Sequence, residues 1–296
     1  ALAMAVEKAK ETDAELVMAS DPDADRVGAA VKNNEGEWVL LNGNQTALMF
    51  VYYLITRWKE LGKINGKEYI VKTIVTTETI KTIAERNGVE MYDVYTGFKW
   101  IANVMRENEG KKNYIGGGEE SYGFLCEDFV RDKDAVSACV ILAEIAAWAK
   151  DQGLSLYQLL QKIYVEYGFS KEKGISVVKK GKSGAEEIEA MMKKFRENPL
   201  TEIAGSKVTY FYDYSTLKGK DYAENETVTL DMPTTSNVLQ YFTEDNTKVS
   251  IRPSGTEPKI KFYCEVHSKV KSIDELPEAE KAAEEKINQI KASLGI

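Results

Sequence analysis

Along the first part of the chain, apolar positions switch repeatedly between a helical period and the continuous runs of buried strands. The opening ALAMAVEKAKETDA places Leu2, Val6 and Ala9 on one helical face, and ELVMAS then reads as a short buried strand. VGAAVKNNEGEWVLLNG reads as two strands joined at Asn33–Gly36, a turn-rich tetrapeptide. NQTALMFVYYLITRWKELG is a helix, with Asn44 as cap and Gly62 as stop. YIVKTIVTT predicts a strand, ETIKTIAERNG a helix, VEMYDVYTG a strand and KWIANVMRENEG a helix. NYIGGGEESYGFL is a strand broken by a glycine-rich acidic loop, and two helices follow, the second capped by Ser155.

Strand and helix alternate to about residue 160, which predicts an α/β unit with a mixed, mostly parallel sheet sandwiched by helices. After Tyr167 the pattern changes. One helix, Ser183–Asn198 closed by Pro199, and a charged final helix flank several short strands, among them KVTYFYDYS, NVLQYFT, TKVSIRPSG and KIKFYCEVH. That predicts a C-terminal α+β domain with a mainly antiparallel sheet.

Composition narrows the partners. Hydrophobic residues make up 43% and the formal net charge is −8. A nucleic-acid backbone wants a basic surface, so it is excluded as main partner, while a small phosphorylated ligand in a locally basic cleft is not. No apolar run approaches a membrane span, so no membrane partner is expected. The 3 cysteines lack metal-ligand spacing, and their odd number predicts a reduced, cytoplasmic protein.

Four stretches can carry chemistry. In SDPDADRVG, the carboxylates Asp21, Asp23 and Asp25 alternate, and in an extended loop they would face one way. They would repel without a cation, and hard oxygen donors suit Mg²⁺ rather than zinc. An EF-hand fails, because its glycine and glutamate positions hold Arg26 and Lys32. A solvated acidic turn is the competing reading. Arg26 beside such a site suggests that an anion is held there too. In RPSGTEP, Arg252, Ser254, Gly255 and Thr256 offer a planar fork, two hydroxyls and consecutive backbone N–H groups, a nest for a phosphate dianion. The alternative is a plain hairpin turn. In GGGEESYG, Glu119 and its neighbours suit a polyol, since carboxylates accept from hydroxyls, although a flexible acidic loop would read the same. In TGFKWI, Lys99 begins a helix, an anion-friendly place. The only histidine, His267, reads as structural.

In this order, DPDADR, TGFKWI, GEESYG and RPSGTEP resemble one family, the α-D-phosphohexomutases, which comprises phosphoglucomutases and phosphomannomutases. The resemblance spans roughly Ala14 to Tyr263. It implies a magnesium loop at Asp21, Asp23 and Asp25, and sugar recognition through Glu119 and Ser121. Lys99 and Arg26 would act on the phosphate and the transferring phosphoryl group. Phosphate anchoring would fall to Arg252, Ser254, Gly255 and Thr256. The implied domains are residues 1–40, the end of a second domain with the metal loop; 41–166, a third, sugar-recognition domain; and 167–296, a fourth, phosphate-binding domain. Gly168 lies where a hinge is expected.

The family's phosphoserine segment, which resembles Thr-Ala-Ser-His-Asn-Pro, does not occur here. The resemblance therefore implies a C-terminal portion, inactive alone, whose partners are a hexose phosphate and N-terminal domains of the same protein. Tyr122 stands where many relatives have the glycine of Glu-x-Ser-Gly, which bears on sugar preference. Phosphomannomutase or phosphopentomutase specificity stays open, as does a non-catalytic sugar-phosphate binding protein that naturally lacks the first domain.

Overall fold

A computed structural model describes residues 2–179, 181–255 and 257–296, without the side chain of Lys182. It divides into two compact units, the first ending at Gly168 and the second comprising Phe169–Ile296.

In the first unit, α1 (Ala3–Glu11) precedes the 3-stranded sheet of β1 (Leu16–Ser20), β2 (Val27–Lys32) and β3 (Trp38–Leu41), all antiparallel. Ala9, Val17 and Ala30 are buried between α1 and this sheet. Contrary to the buried-strand reading, β1 is only half buried, because it lies at an edge of its sheet.

The helix α2 (Gly43–Glu60) follows. Its cap is Asn42, not Asn44: the Asn42 and Gln45 side chains form a capping box, while Asn44 Oδ1 accepts from Thr77 N at 3.0 Å. Then come β4 (Glu68–Thr73), α3 (Thr79–Arg86), β5 (Glu90–Val94), α4 (Phe98–Asn108), β6 (Asn113–Gly118), β7 (Phe124–Cys126), α5 (Ala135–Asp151) and α6 (Leu156–Tyr167). The 4-stranded sheet runs β5-β4-β6-β7, parallel except at β7. Its central strand β4 is buried at every position, as a parallel strand covered on both faces must be.

Two charges inside β4 are matched locally. Lys72 is 1% exposed and pairs with Asp93 at 2.7 Å and Glu78 at 2.9 Å. Glu68 accepts from the N–H groups of Asn65, Gly66 and Lys67 at 2.7, 2.9 and 3.1 Å. A buried charge left unpaired would cost several kcal/mol, so both partnerships are conditions of the strand's burial. On one face, α4 packs Phe98, Ile101 and Met105 against Tyr69, Val71 and Leu125.

The second unit contains β8 (Phe169–Val178), α7 (Gly181–Glu197), β9 (Glu202–Ile203), β10 (Ser206–Asp213), β11 (Lys218–Asp221), β12 (Glu226–Thr229), β13 (Leu239–Thr243), β14 (Lys248–Pro253), β15 (Lys259–Ser268) and α8 (Leu276–Leu294). All its strand pairings are antiparallel, in the order β12-β11-β10-β13-β14-β15-β8 with β9 paired to β10. The α/β and antiparallel α+β classes read from the pattern are the ones present. No helix among the described residues is long and apolar enough to cross a membrane.

Glu265 joins Lys248 at 2.9 Å and His267 at 2.6 Å within the β14–β15 region. Burial works to raise the Glu265 pKa, but the Lys248 and His267 charges outweigh it and hold the carboxyl well below its usual range. For His267 burial works to lower the pKa; Glu265, then Glu172, reverse this and raise it. A raised folded-state pKa gives stability that is complete below the unfolded value of 6.5 and lost as pH rises through the folded one. Glu265 contributes oppositely, losing stability only as pH falls below the usual carboxylate range. We therefore expect the melting temperature of the wild-type chain to exceed that of His267→Gln near about pH 6, and the gap to close by about pH 9. A gap that stays constant across that range would refute the assignment.

Candidate functional site

DPDADR is the loop of the β1–β2 hairpin, since Ser20 pairs with Val27. It is a turn, not an extended segment. Asp21 N donates to Arg26 O, Ala24 N donates to Asp21 O, and Ala24 has φ +56°. This curl overturns the expectation that the three carboxylates face one way. Asp21 Oδ1 accepts from the N–H groups of Asp25 and Arg26, both at 3.1 Å. Burial works to raise its pKa, but these backbone bonds lower it, so Asp21 stays ionised. Asp23 points to solvent. Asp25 pairs through Oδ2 with Lys133 Nζ at 2.8 Å. The guanidinium of Arg26 is 51% exposed and 3.9 Å from Asp25.

Mg²⁺ is tested by these residues. All three donors are hard carboxylate oxygens, and Asp25 Oδ1 is buried without a hydrogen-bond partner, a position suited to a cation. Yet among the described residues no group of three or more Asp, Glu, His or Cys side chains is placed to hold a metal ion. The donor type fits; the arrangement does not gather the donors.

Glu119, Glu120 and Ser121 follow β6 directly, at the carboxyl end of parallel strands, where open α/β sheets bind ligands. Glu119 is 6% exposed and its Oε1 accepts from Gly97 N at 2.8 Å. The acidic loop is thereby tied to TGFKWI, where Gly97 has φ +112° and caps α4. Ser121 is half-buried, and Lys99 is exposed with its Nζ 5.1 Å from the Trp100 ring. The DPDADR loop joins the same cluster through the backbone. Val27 N donates to Tyr122 O at 3.1 Å, Ala135 N to Ala24 O at 3.0 Å, and Arg26 forms a β-bridge with Gly123. Three of the four stretches therefore meet within the first unit. A groove of about 360 Å³ beside them is lined by Ser20, Asp21, Arg26, Leu40, Leu41 and Tyr122.

Lys133 was not singled out by the sequence reading, and it links all three. It reaches Asp25, lies 6.0 Å from the Phe98 ring, and its stem packs where Gly123 has no side chain. Burial works to lower its pKa, but the bond to Asp25 and the charges of Asp132, Asp25 and Glu119 raise it, so it is a permanent cation. RDKDA reads locally as an ordinary charged turn, so only its position in space distinguishes it.

In the second unit, Arg252 and Pro253 of RPSGTEP end β14, and the rest of the stretch precedes β15 in the chain. Ser254 N donates to Lys259 O at 2.8 Å, and Ser254 Oγ accepts from Glu257 N at 3.3 Å. Gly255 is exposed, with nothing within 4 Å of where a Cβ would stand. Thr256 lies outside the described residues. Arg252 is half-buried and stands directly opposite Lys261 in the β14–β15 register. Like charges in direct cross-strand opposition destabilise a sheet, and the loop offsets part of this with its own carboxylate: Lys259, then Lys261, hold Glu257 below its usual range.

Residues 42–167 match the family model for the phosphoglucomutase/phosphomannomutase α/β/α domain III, and residues 176–283 match that family's C-terminal domain. A phosphoglucomutase of Staphylococcus aureus is 38% identical over 259 residues, which are 88% of this chain and 46% of that protein. One from Staphylococcus haemolyticus is 33% identical over 264 residues, 89% of this chain and 47% of that one. The chain spans about half the length of the curated relatives it matches. Among solved structures, the open form of the Paramecium phosphoglucomutase parafusin superposes with a TM-score of 0.60 at 17% identity, covering 92% of this chain and 45% of that one. A phosphoglucomutase/phosphomannomutase family protein of Burkholderia thailandensis gives 0.61 at 18%, covering 99% and 50%.

Removing the Lys133 charge should loosen the first unit. We expect Lys133→Met to lose about 2 kcal/mol in urea unfolding, the scale of a charged hydrogen bond whose partner stays behind. Lys133→Arg should lose less than half of that. Equal losses would show that stem packing, not the ion pair, matters.

Proposed function

We propose, from the premise that this chain belongs to the phosphoglucomutase/phosphomannomutase family, that the protein carrying it interconverts hexose 1-phosphate and hexose 6-phosphate. A phosphoserine, supplied by N-terminal domains of the same protein, would transfer its phosphoryl group to the free hydroxyl of the substrate. The resulting bisphosphorylated sugar would turn over in the site and return its other phosphoryl group to the serine. Residues 1–40, 41–166 and 167–296 would then serve as the end of a metal-loop domain, a sugar-recognition domain and a phosphate-binding domain.

Each side chain has a physical reason for its part. Glu119 and Ser121 would accept from and donate to sugar hydroxyls, and the Glu119 oxygen not bonded to Gly97 is the one available. Arg26 and Lys133 place positive charge beside the loop where a transferring phosphoryl would sit. Lys99 would orient the phosphate end of the sugar. Asp21, Asp23 and Asp25 would hold Mg²⁺, which supplies charge neutralisation for phosphoryl transfer. Arg252, Ser254, Gly255 and Thr256, with Lys261 added, would anchor whichever phosphate is not reacting. Binding energy at that remote phosphate can then be used for positioning. A cytoplasmic location accords with free cysteines, two of them buried.

The Arg252–Lys261 pairing supports the reading most, since the strand register sets two cationic residues side by side next to the Ser254–Gly255 turn. Calorimetric titration of the chain with glucose 1-phosphate, mannose 1-phosphate and ribose 1-phosphate tests it. We expect saturable binding of one of them, weakened roughly 10- to 100-fold by Arg252→Ala, as expected for loss of a charged hydrogen bond worth about 1.5–3 kcal/mol. Binding untouched by Arg252→Ala would refute the anchor. Absence of hexose phosphate turnover by the full-length protein would refute the mutase and leave the sugar-phosphate binding protein.

A further inference from the structure

Gly43 is the first residue of α2, and its backbone is helical enough that its φ is not positive. Inside a helix alanine is favoured over glycine by about 0.5–1 kcal/mol, and the backbone of Gly43 does not itself require glycine. What occupies the missing side chain's place is the acidic loop itself. A Cβ built on Gly43 would stand 2.0 Å from the carbonyl oxygen of Glu120, 2.7 Å from its carbonyl carbon and 2.7 Å from the amide nitrogen of Tyr122. All three are backbone atoms, so no side-chain rotation relieves the overlap.

The loop has little slack to give. Glu119 N donates to Gly123 O at 2.9 Å, and Tyr122 O accepts from Val27 N at 3.1 Å. Glu119 Oε1 holds Gly97 N, and Glu120 Oε2 accepts from Thr73 Oγ1 at 3.4 Å. Tyr122 is a bulky residue at φ +73°, a conformation that persists only when its surroundings impose it. The first turn of α2 is held in turn by the Asn42–Gln45 capping box, so neither side of the contact retreats freely.

We propose that Gly43 is a positioning residue: its bare backbone is the surface against which the Glu119–Tyr122 loop is set, and this contact fixes where Glu119 and Ser121 present their oxygens. To accommodate a methyl group the Glu120 carbonyl must move by about 1 Å, since heavy atoms need a little over 3 Å. A shift of that size at a substrate-holding loop is worth up to about 100-fold in kcat/KM. The displacement would also pass through the Tyr122–Val27 bond to the base of the Arg26 loop. The catalytic consequence rests on the hexose phosphate reading; the structural one does not.

The experiment pairs Gly43→Ala with Gly62→Ala, which strains a left-handed glycine just beyond the other end of the same helix and touches nothing in the loop. Amide hydrogen exchange is measured on the full chain, with the buried β4 amides of Ile70 and Val71 as internal reference. Gly43→Ala should speed exchange at Gly97, Val27 and Glu119 at least about 10-fold relative to that reference, while Gly62→Ala should leave the ratios unchanged. In the full-length protein, Gly43→Ala should raise KM for hexose phosphate about 10- to 100-fold with a much smaller change in kcat, the pattern of lost substrate holding.

Adding Tyr122→Gly to Gly43→Ala, which frees the loop at its strained residue, should restore part of both readouts. If Gly43→Ala alone does not fold, that double variant must, because relieving the backbone strain at Tyr122 lets the loop side of the contact yield. Unchanged exchange ratios in Gly43→Ala, equal changes in Gly62→Ala, or failure of both Gly43 variants to fold each overturn the proposal. Should the full-length wild type turn over no hexose phosphate while the exchange ratios shift as expected, the positioning role stands and only the mutase reading falls.

Discussion

The ion pair between Lys133 and Asp25 is the contact on which the geometry of the first unit's loops depends. Its two partners come from segments far apart in sequence, one in the β1–β2 hairpin and one just before α5. With 14% of the lysine side chain exposed, the ammonium is shielded, and Asp25, Asp132 and Glu119 together hold its proton. The same side chain fills the space left by Gly123. Charge, packing and the backbone bonds of Val27 and Ala135 thus converge on one small region. Loops that would each sample many conformations alone are held in register by their neighbours.

Each unit carries its own candidate chemistry. In the first unit, the carboxylates of Glu119 and Asp25 stand beside the Lys133 ammonium, at the carboxyl end of a parallel sheet. In the second, Arg252 and Lys261 stand side by side across β14 and β15, next to the Ser254–Gly255 turn. The curl of Asp21–Arg26 belongs to the first unit. Asp21 is committed to its own backbone and Asp25 to Lys133, so the carboxylates are not gathered, although Asp25 Oδ1 remains buried without a hydrogen-bond partner.

Much of the fold was legible because its signals are local. The apolar run of β4, the caps at Ser155 and Gly62, and the turn at Asn33–Gly36 each follow from side-chain periodicity or backbone preference within a few residues. The β9 and β11 strands were not legible. Glu202–Ile203 is too short for a period, and the charged Lys218–Asp221 owes its strand conformation to pairing with β10 and β12. Asn42 and Asn44 are equally plausible caps in sequence; the contact between Asn44 and Thr77 decided between them.

By itself, the sequence determined the two structural classes, the order of the four chemical stretches and the residue types each can offer, because composition and spacing are properties of the chain alone. Only the tertiary structure decided which of those residues meet. It brought Lys133 to Asp25, set Lys261 opposite Arg252, turned the Asp21–Arg26 loop back on itself and pressed the Glu120 carbonyl onto Gly43. Each depends on strand register or on backbone packed against backbone, and such contacts join residues whose separation along the chain carries no trace of their distance in space.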